Sequence, residues 1–462
     1  MIRLAVPVIL AELGWMAMAL VDTIMVGPLG PAAIGAVGVG SILFESVAIG
    51  GMGLLLGLDT VVSQAFGARR IDECHRWLVH GVHLSLMLAV PLFVLIAFGG
   101  ANLPRLGFDP AILDPLVRYF WIVSASLLPL LVYSAFRRYL QAMSLLAPIT
   151  FALISANVVN ALGNWLLIYG RLGLPELGTT GAAWATVIAR IYMAGVLVAA
   201  AFYHDAKHRT GLRETSWALE PARLVRLFRL GAPASGQIVL EVGVFAAAGA
   251  LAARLNAVAI AAHQIVLMNA GTTFMIPLGI SSAAAVRVGQ AIGRHDTTGA
   301  RRAGWTAIAI GVAFMGCASA AFLLAPRLLM AAFTRDAAVA ATGTSLLRVA
   351  ALFQMFDAVQ VITTGALRGT GDTRTPMLTN LAGHWALGLP IGYVLCFQYA
   401  WGVIGLWVGL SSGLIAVAIV LLGVWRGRVS ALQIPEHGRI NTSMKGPLKS
   451  RHTSSERSAA GS

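Results

Sequence analysis

About twelve stretches of this chain stay apolar over the roughly 20 residues that a helix needs to cross a bilayer, and nothing else restricts its fold as strongly. In hydrocarbon every backbone N–H and C=O must be satisfied within its own segment, so such stretches fold as helices and pack as a bundle. They cover residues 4–26, 36–64, 78–100, 116–140, 147–169, 181–203, 230–253, 260–286, 303–325, 343–367, 376–399 and 403–425. Charged residues make up only 11% of the 462, hydrophobic ones 58%, and mean hydropathy is +0.80. A soluble domain carries about 25% charged residues, so this chain cannot clothe itself in a wetted surface. The expected class is an all-α polytopic membrane protein. The 50 glycines suit helices whose backbones approach closely in lipid. Cys74, Cys317 and Cys396 lie far apart and form neither a disulfide framework nor a metal spacing.

The sequence repeats itself. Leu4-Ala5-Val6-Pro7 returns as Leu230-Gly231-Ala232-Pro233, and at the same offset Gln64-Ala65-Phe66-Gly67 returns as Gln290-Ala291-Ile292-Gly293. Each copy holds six spans, and an even number brings the chain back to its starting side. The two copies are therefore expected to form parallel, pseudo-symmetric six-helix bundles about an axis along the membrane normal, with a cavity between them. The boundaries read as an N-terminal bundle at 1–203, a linker at 204–229, a C-terminal bundle at 230–425 and a disordered tail at 426–462 rich in Ser, Arg, Gly and His.

Orientation follows from the basic residues. With the N-terminus inside, the cytoplasmic loops hold Arg69, Arg70, Arg137, Arg138, Arg223, Arg226, Arg294, Arg301, Arg302, Arg368 and Arg374 among others; the opposite loops hold Arg105, Arg171, Arg254, Arg327 and Arg335. Both termini are expected in the cytoplasm. The same asymmetry accounts for the formal charge of +14, so no nucleic-acid partner is needed to explain it. The chain opens three residues before its first span with Arg3 as the sole basic anchor, the pattern expected if translation starts upstream.

Six acids fall inside predicted spans: Glu12, Asp22, Glu45, Asp59, Glu241 and Asp357. A charge at the helix centre costs about 2.5–3.5 kcal/mol on insertion scales, so acids at depth mark ion or substrate pathways. Glu241 and Asp357 sit near the middle of their helices, and Asp22 about one turn from the outer end of the first. Such a carboxylate either takes a proton or holds a cation. Either choice can tie ion occupancy to the direction in which the cavity opens. The competing reading is a structural partner for each acid, with Arg190, itself inside a span, the obvious candidate. Phe353, Gln354 and Gln360 fall at helical spacing from Asp357, and an aromatic ring with two amides suits a bulky cation. Helix packing alone would also explain them.

Several motifs resemble the multidrug and toxic compound extrusion (MATE) family. They are Val21-Asp22-Thr23-Ile24-Met25-Val26-Gly27 in the first span, Ala261-Ala262-His263-Gln264-Ile265 at the eighth, and Asp357-Ala358-Val359-Gln360 with Leu367-Arg368-Gly369-Thr370-Gly371-Asp372-Thr373-Arg374-Thr375-Pro376 at the tenth and its following loop. The resemblance runs from about Leu4 to about Trp425 and is nearest to the NorM-type branch. It implies secondary active export of organic cations and drugs across the bacterial inner membrane in exchange for H⁺ or Na⁺. It also implies cation coupling at Asp22, Glu241 and Asp357, Na⁺ at Glu241 and Asp357 if that is the ion, and a substrate cavity involving Phe353, Gln354, Gln360, Gln264 and Asp59. No cofactor and no further metal is expected, and a monomer is. Two departures stand out. Na⁺-binding members carry a tyrosine where this chain has Phe353, which removes one oxygen ligand, and Asp59-Thr60 looks more like the eukaryotic pattern.

Other readings are weighed against this one. A flippase for lipid-linked precursors would want a cationic cavity, whereas the depth charges here are mainly acids. A membrane enzyme needs a nucleophile–base or metal constellation, and none appears at depth. His75, His80 and His83 with Cys74 have no acid at ligand spacing. Pro7 and Pro233, at matching places in the two copies, read equally as hinges or as static bends.

Overall fold

The computed structural model describes residues 1–432. Most of the expected tail, 433–462, lies outside the described residues. Ten helices are long and apolar enough to cross a membrane, and a bent pair makes an eleventh span. The bundle runs α1 (Ile2–Val26), α2 (Pro31–Leu54, continued by Gly57–Gly67), α3 (Ile71–Asn102), α4 (Pro110–Ser124 and Leu127–Ala142), α5 (Ala147–Ile168) and α6 (Thr179–His208) in the first lobe. The second lobe follows with α7 (Pro221–Ala253), α8 (Ala257–Gly293), α9 (Thr297–Leu324), α10 (Ala337–Thr370), α11 and α12 (Gly402–Leu432). The twelfth crossing is α11, built from α turns at Arg374–Asn380 and Leu389–Tyr393 and π turns at Leu381–Gly388 and Val394–Gln398. The expected all-α, twelve-helix, two-lobe architecture is what the chain adopts.

Four local features depart from the apolar pattern, each for a physical reason. The segment between the lobes shrinks to a short loop, because α6 runs on to His208 and α7 begins at Pro221. Those extensions carry charge and so escape a hydropathy reading. The first turn of α7 is anchored by Arg223, which reaches Glu73 at 2.7 Å and Glu220 at 2.7 Å; the guanidinium holds the Glu220 carboxyl below its usual range. Helix α12 continues past Trp425 to Leu432. The break in α2 falls at Leu55-Leu56, just beyond Gly50-Gly51, whereas α8 passes through Pro277 unbroken. Helix α4 bends by 45° at Ala125-Ser126, where Ser126 receives a hydrogen bond from Arg190 at 2.8 Å.

The lobes meet at the end of the bundle that carries most of the arginines. There the two repeated motifs face each other. A Cβ on Gly67 would strike the Gln290 carbonyl, and one on Gly293 would strike the Gln64 carbonyl, so only glycine permits the approach. The glutamines cross reciprocally: Gln64 Nε2 donates to the Gly369 carbonyl at 3.1 Å, and Gln290 Nε2 donates to the Ala142 carbonyl at 2.8 Å. Both motifs end in the same turn. Arg69 and His295 hold left-handed φ values of 60° and 57°, and the next amides, Arg70 and Asp296, donate back to Ala65 and Ala291. This closes the same helix-terminating motif in each copy. The repeat that organises the sequence is thus the surface by which the halves seal one end.

Candidate functional site

Each lobe places a polar cluster inside an apolar bundle. In the first lobe, Asp22 on α1 is buried and accepts from Asn164 Nδ2 at 2.7 Å and from Thr186 Oγ1 at 3.1 Å. Asn164 also donates to Asn160, one turn earlier on α5, at 3.3 Å. Neither lysine nor arginine pairs with Asp22 among the described residues; its partners are neutral dipoles. Asn160 Nδ2 and Asn164 Oδ1 are buried without partners.

In the second lobe, Gln237 and Glu241 stand one turn apart on α7, and Gln360 and Asp357 present to them from α10. Asp357, Gln354, Gln360 and Asn380 are buried, and Glu241 is half-buried. Gln360 Nε2 donates to Asn380 Oδ1 at 3.0 Å, which turns its carbonyl oxygen free; Gln354 Nε2 donates to Thr273 Oγ1 at 2.8 Å with the same result. The first π turn of α11 brings Trp385 onto α7, where its Nε1 donates to the Leu240 carbonyl at 2.9 Å, next to Glu241. π turns of this kind recur at functional sites. Among the described residues no arginine or lysine pairs with Glu241 or Asp357. Two carboxylates near each other in a weakly polar setting repel when both are bare, so the pair favours uptake of one positive charge.

The remaining acids at depth do have basic partners. Glu12 binds Arg137, and Glu45 lies 3.6 Å from Arg190. Arg190 also stacks over the Phe44 ring, 4.7 Å from its centroid. The arginine singled out as a general neutraliser therefore serves Glu45, and Asp22, Glu241 and Asp357 are left without one. We expect Arg137→Met to strand Glu12 as a bare buried charge and cost about 3–5 kcal/mol of stability. A thermal melt of the purified protein checks this, and adding Glu12→Gln should recover most of the loss.

Asp59 does not line a cavity. It is fully buried in the seam between the lobes, with Oδ2 3.5 Å from Arg138 of its own lobe and 3.5 Å from Arg368 of the other. Around it Arg138 donates to Ser282 at 3.1 Å, Gln141 donates to Ser282 at 2.7 Å, and Thr60 donates to the Arg368 carbonyl at 2.6 Å. Phe353 likewise turns into the core of its lobe, tilted by 33° against Trp407 at 5.8 Å between centroids. Gln264 is exposed near the N-terminal end of α8, beside Gly249 of α7, and does not join Asp357. Of the residues expected to line the cavity, only Gln354 and Gln360 share the neighbourhood of Asp357. His263 accepts from Trp407 Nε1 at 3.1 Å and acts as a packing group. His75 bonds Tyr139 and the Thr210 carbonyl, and His80 bonds the Arg76 carbonyl and the Glu220 amide. Asn160, Asn164, Thr186 and Asn380 belong to the two polar clusters, and reading the acids alone misses them. The signal for the first cluster is the run of three asparagines, Asn157, Asn160 and Asn164, at helical spacing along α5.

Comparison with known proteins matches this arrangement. The MatE family model covers residues 7–166 and 233–394, so it matches the chain twice, at the offset of the internal repeat. A probable multidrug resistance protein NorM of Mesorhizobium japonicum is 35% identical over 434 residues, covering 92% of this chain and 93% of that protein. One from Burkholderia mallei is 36% identical over 444 residues, covering 95% and 94%. Among solved structures, an outward-facing multidrug resistance MATE transporter of the MOP superfamily superposes with a TM-score of 0.84 at 20% identity, covering 94% of this chain and 96% of that one. Duplicated family match, near-complete coverage and shared fold agree: the chain belongs to the MATE family and sits with its NorM-named members.

Proposed function

We propose that the chain is a secondary active exporter that carries organic cations and drugs out of the bacterial cell in exchange for H⁺ or Na⁺. The observation that carries this reading is the contrast among buried acids. Glu12, Glu45 and Asp59 are paired with arginine, whereas Glu241 and Asp357 lie close enough to feel each other's charge, beside Gln237 and Gln360, with no basic partner among the described residues. A site built from carboxylates and unpaired carbonyl oxygens attracts cations. The relatives are named as probable multidrug resistance proteins, which agrees with drugs as cargo.

The proposed orientation puts the arginine-rich end and both termini in the cytoplasm, within the inner membrane. The sealed end is then cytoplasmic and the structure faces outward. In the cycle, uptake of H⁺ or Na⁺ at Glu241 and Asp357 displaces the cationic cargo to the outside and lets the seam open inward. Cargo then competes for the same carboxylates from the inside. Asp22 with Asn160, Asn164 and Thr186 forms a second coupling position in the first lobe. Because residue 353 is phenylalanine, with no hydroxyl, it adds no oxygen to the pair, and a Na⁺ ion here would rely on carboxylates and the Gln360 carbonyl. The unit is a monomer, since each chain holds both lobes of the cavity.

Dye efflux from vesicles tests the proposal. A fluorescent organic cation should leave faster under an imposed pH gradient or an imposed Na⁺ gradient than with neither, and the effective gradient names the ion. Efflux that ignores both would overturn the antiport assignment.

A further inference from the structure

The arginine-rich end of the second lobe holds a binding groove that efflux does not use. Helices α9 and α12 touch where the Trp425 ring occupies the space that a side chain on Gly304 would fill. Beside that contact, toward the helix ends, a groove of about 400 Å³ opens, lined by Arg301 and Trp305 of α9 and by Arg426, Val429 and Ser430 of α12. Arg301 and Trp305 are one turn apart, as are Arg426 and Ser430, so each helix contributes one face. Both helices are membrane spans, which places the groove at the edge of the bilayer. An indole at that level is the usual interfacial anchor.

The two guanidinium groups are exposed, and among the described residues neither pairs with a carboxylate. The acids on neighbouring turns are committed elsewhere. Asp372 binds Arg428 at 2.9 Å, and Asp296 caps the Gly299 amide at 2.7 Å. Two positive forks, an apolar wall and an indole therefore await a phosphate carried on an acyl chain. We infer that this groove binds the headgroup of an anionic glycerophospholipid from the leaflet that the arginine-rich end faces. Basic pockets between spans on that side bind such headgroups elsewhere. The bound lipid would bridge α9 to α12 and, through Arg428 and Asp372, brace the loop that follows α10, the helix of both Asp357 and Arg368.

Native mass spectrometry of the full chain in detergent tests this, with phosphatidylglycerol and phosphatidylcholine of matched acyl chains as probes. The wild type should retain phosphatidylglycerol preferentially. Each arginine removed should weaken that binding about fivefold, so Arg301→Gln with Arg426→Gln should lose the preference altogether. Arg302→Gln, outside the groove, should keep it. Thermal melts of the variants establish that the fold is retained, since both side chains are exposed. Equal uptake of the two lipids by the wild type, or an unchanged preference in the double variant, would overturn the site. Complete displacement of phosphatidylglycerol by an equal concentration of inorganic phosphate would show a free-anion site instead, and overturn the lipid assignment.

Discussion

We expect Asp357→Asn to abolish the proposed gradient-driven efflux while leaving the protein folded and in the membrane. Asparagine keeps the size and the hydrogen-bonding reach of the side chain but can neither take a proton nor hold a full negative charge. The carboxylate is buried near Glu241, Gln354 and Gln360 with no arginine or lysine partner among the described residues, so under the proposed function its charge would be left to ion and cargo. A cation about 4 Å from a carboxylate gains about 4 kcal/mol at an effective dielectric of about 20, on the order of a thousandfold in the ratio of cation-bound to empty site. Losing that much coupling should bring accumulation of an ethidium-like cation in an efflux-deficient bacterium to the level of cells without the protein. Glu241→Gln should do the same, because the pair acts as a unit. If both variants exported normally at equal membrane abundance, these carboxylates would have no part in coupling.

The second large effect is expected at Asp59. Its carboxylate is the only acid between Arg138 and Arg368 among the described ion pairs of the seam, and Asp59→Ala leaves two guanidinium groups facing each other in a buried interface. Removing one partner of such a buried set costs about 3–5 kcal/mol. That cost falls on the sealed conformation, because once the lobes part water can solvate both arginines. The opening equilibrium should therefore shift by roughly a hundredfold or more toward separation at this end. Spin labels at Arg70→Cys and His295→Cys, in a background where exposed Cys317 is serine, read this directly. The wild type should give a short distance, the Asp59→Ala protein a longer or broader one. An unchanged distribution would show that the glutamine and glycine contacts alone hold the seal.

The bundle was legible in the sequence because lipid leaves few choices. Apolar length marked the spans, the repeated Gln-Ala-x-Gly marked the two lobes, and the arginine asymmetry marked one end. The ends of helices were less legible: residues 221–229 are helical but charged, and their stability comes from Glu73 and Glu220 binding Arg223. The bend of α4 at Ser126 is met by Arg190 of another helix, a contact that no local pattern reveals. Reading acids drew attention to Asp22, Glu241 and Asp357, because a carboxylate in an apolar run stands out. It missed Asn160, Asn164, Thr186 and Asn380, whose polarity is commonplace, and it set Asp59 in the cavity because its partner Arg368 lies in the other half of the chain. Phe353 was placed beside cargo on helical spacing alone, yet Trp407 of α12 claims its ring.

The seam at Gln64 and Gln290 obeys the rule of an isologous dimer contact, in which each partner offers both the donor and the acceptor that the other lacks. Either six-helix half thus carries a complete surface for docking on a copy of itself. Duplication and fusion of an ancestral homodimer would have required no invention at that surface, and only afterwards was each side free to diverge, one acquiring Asp59 and the other Arg368.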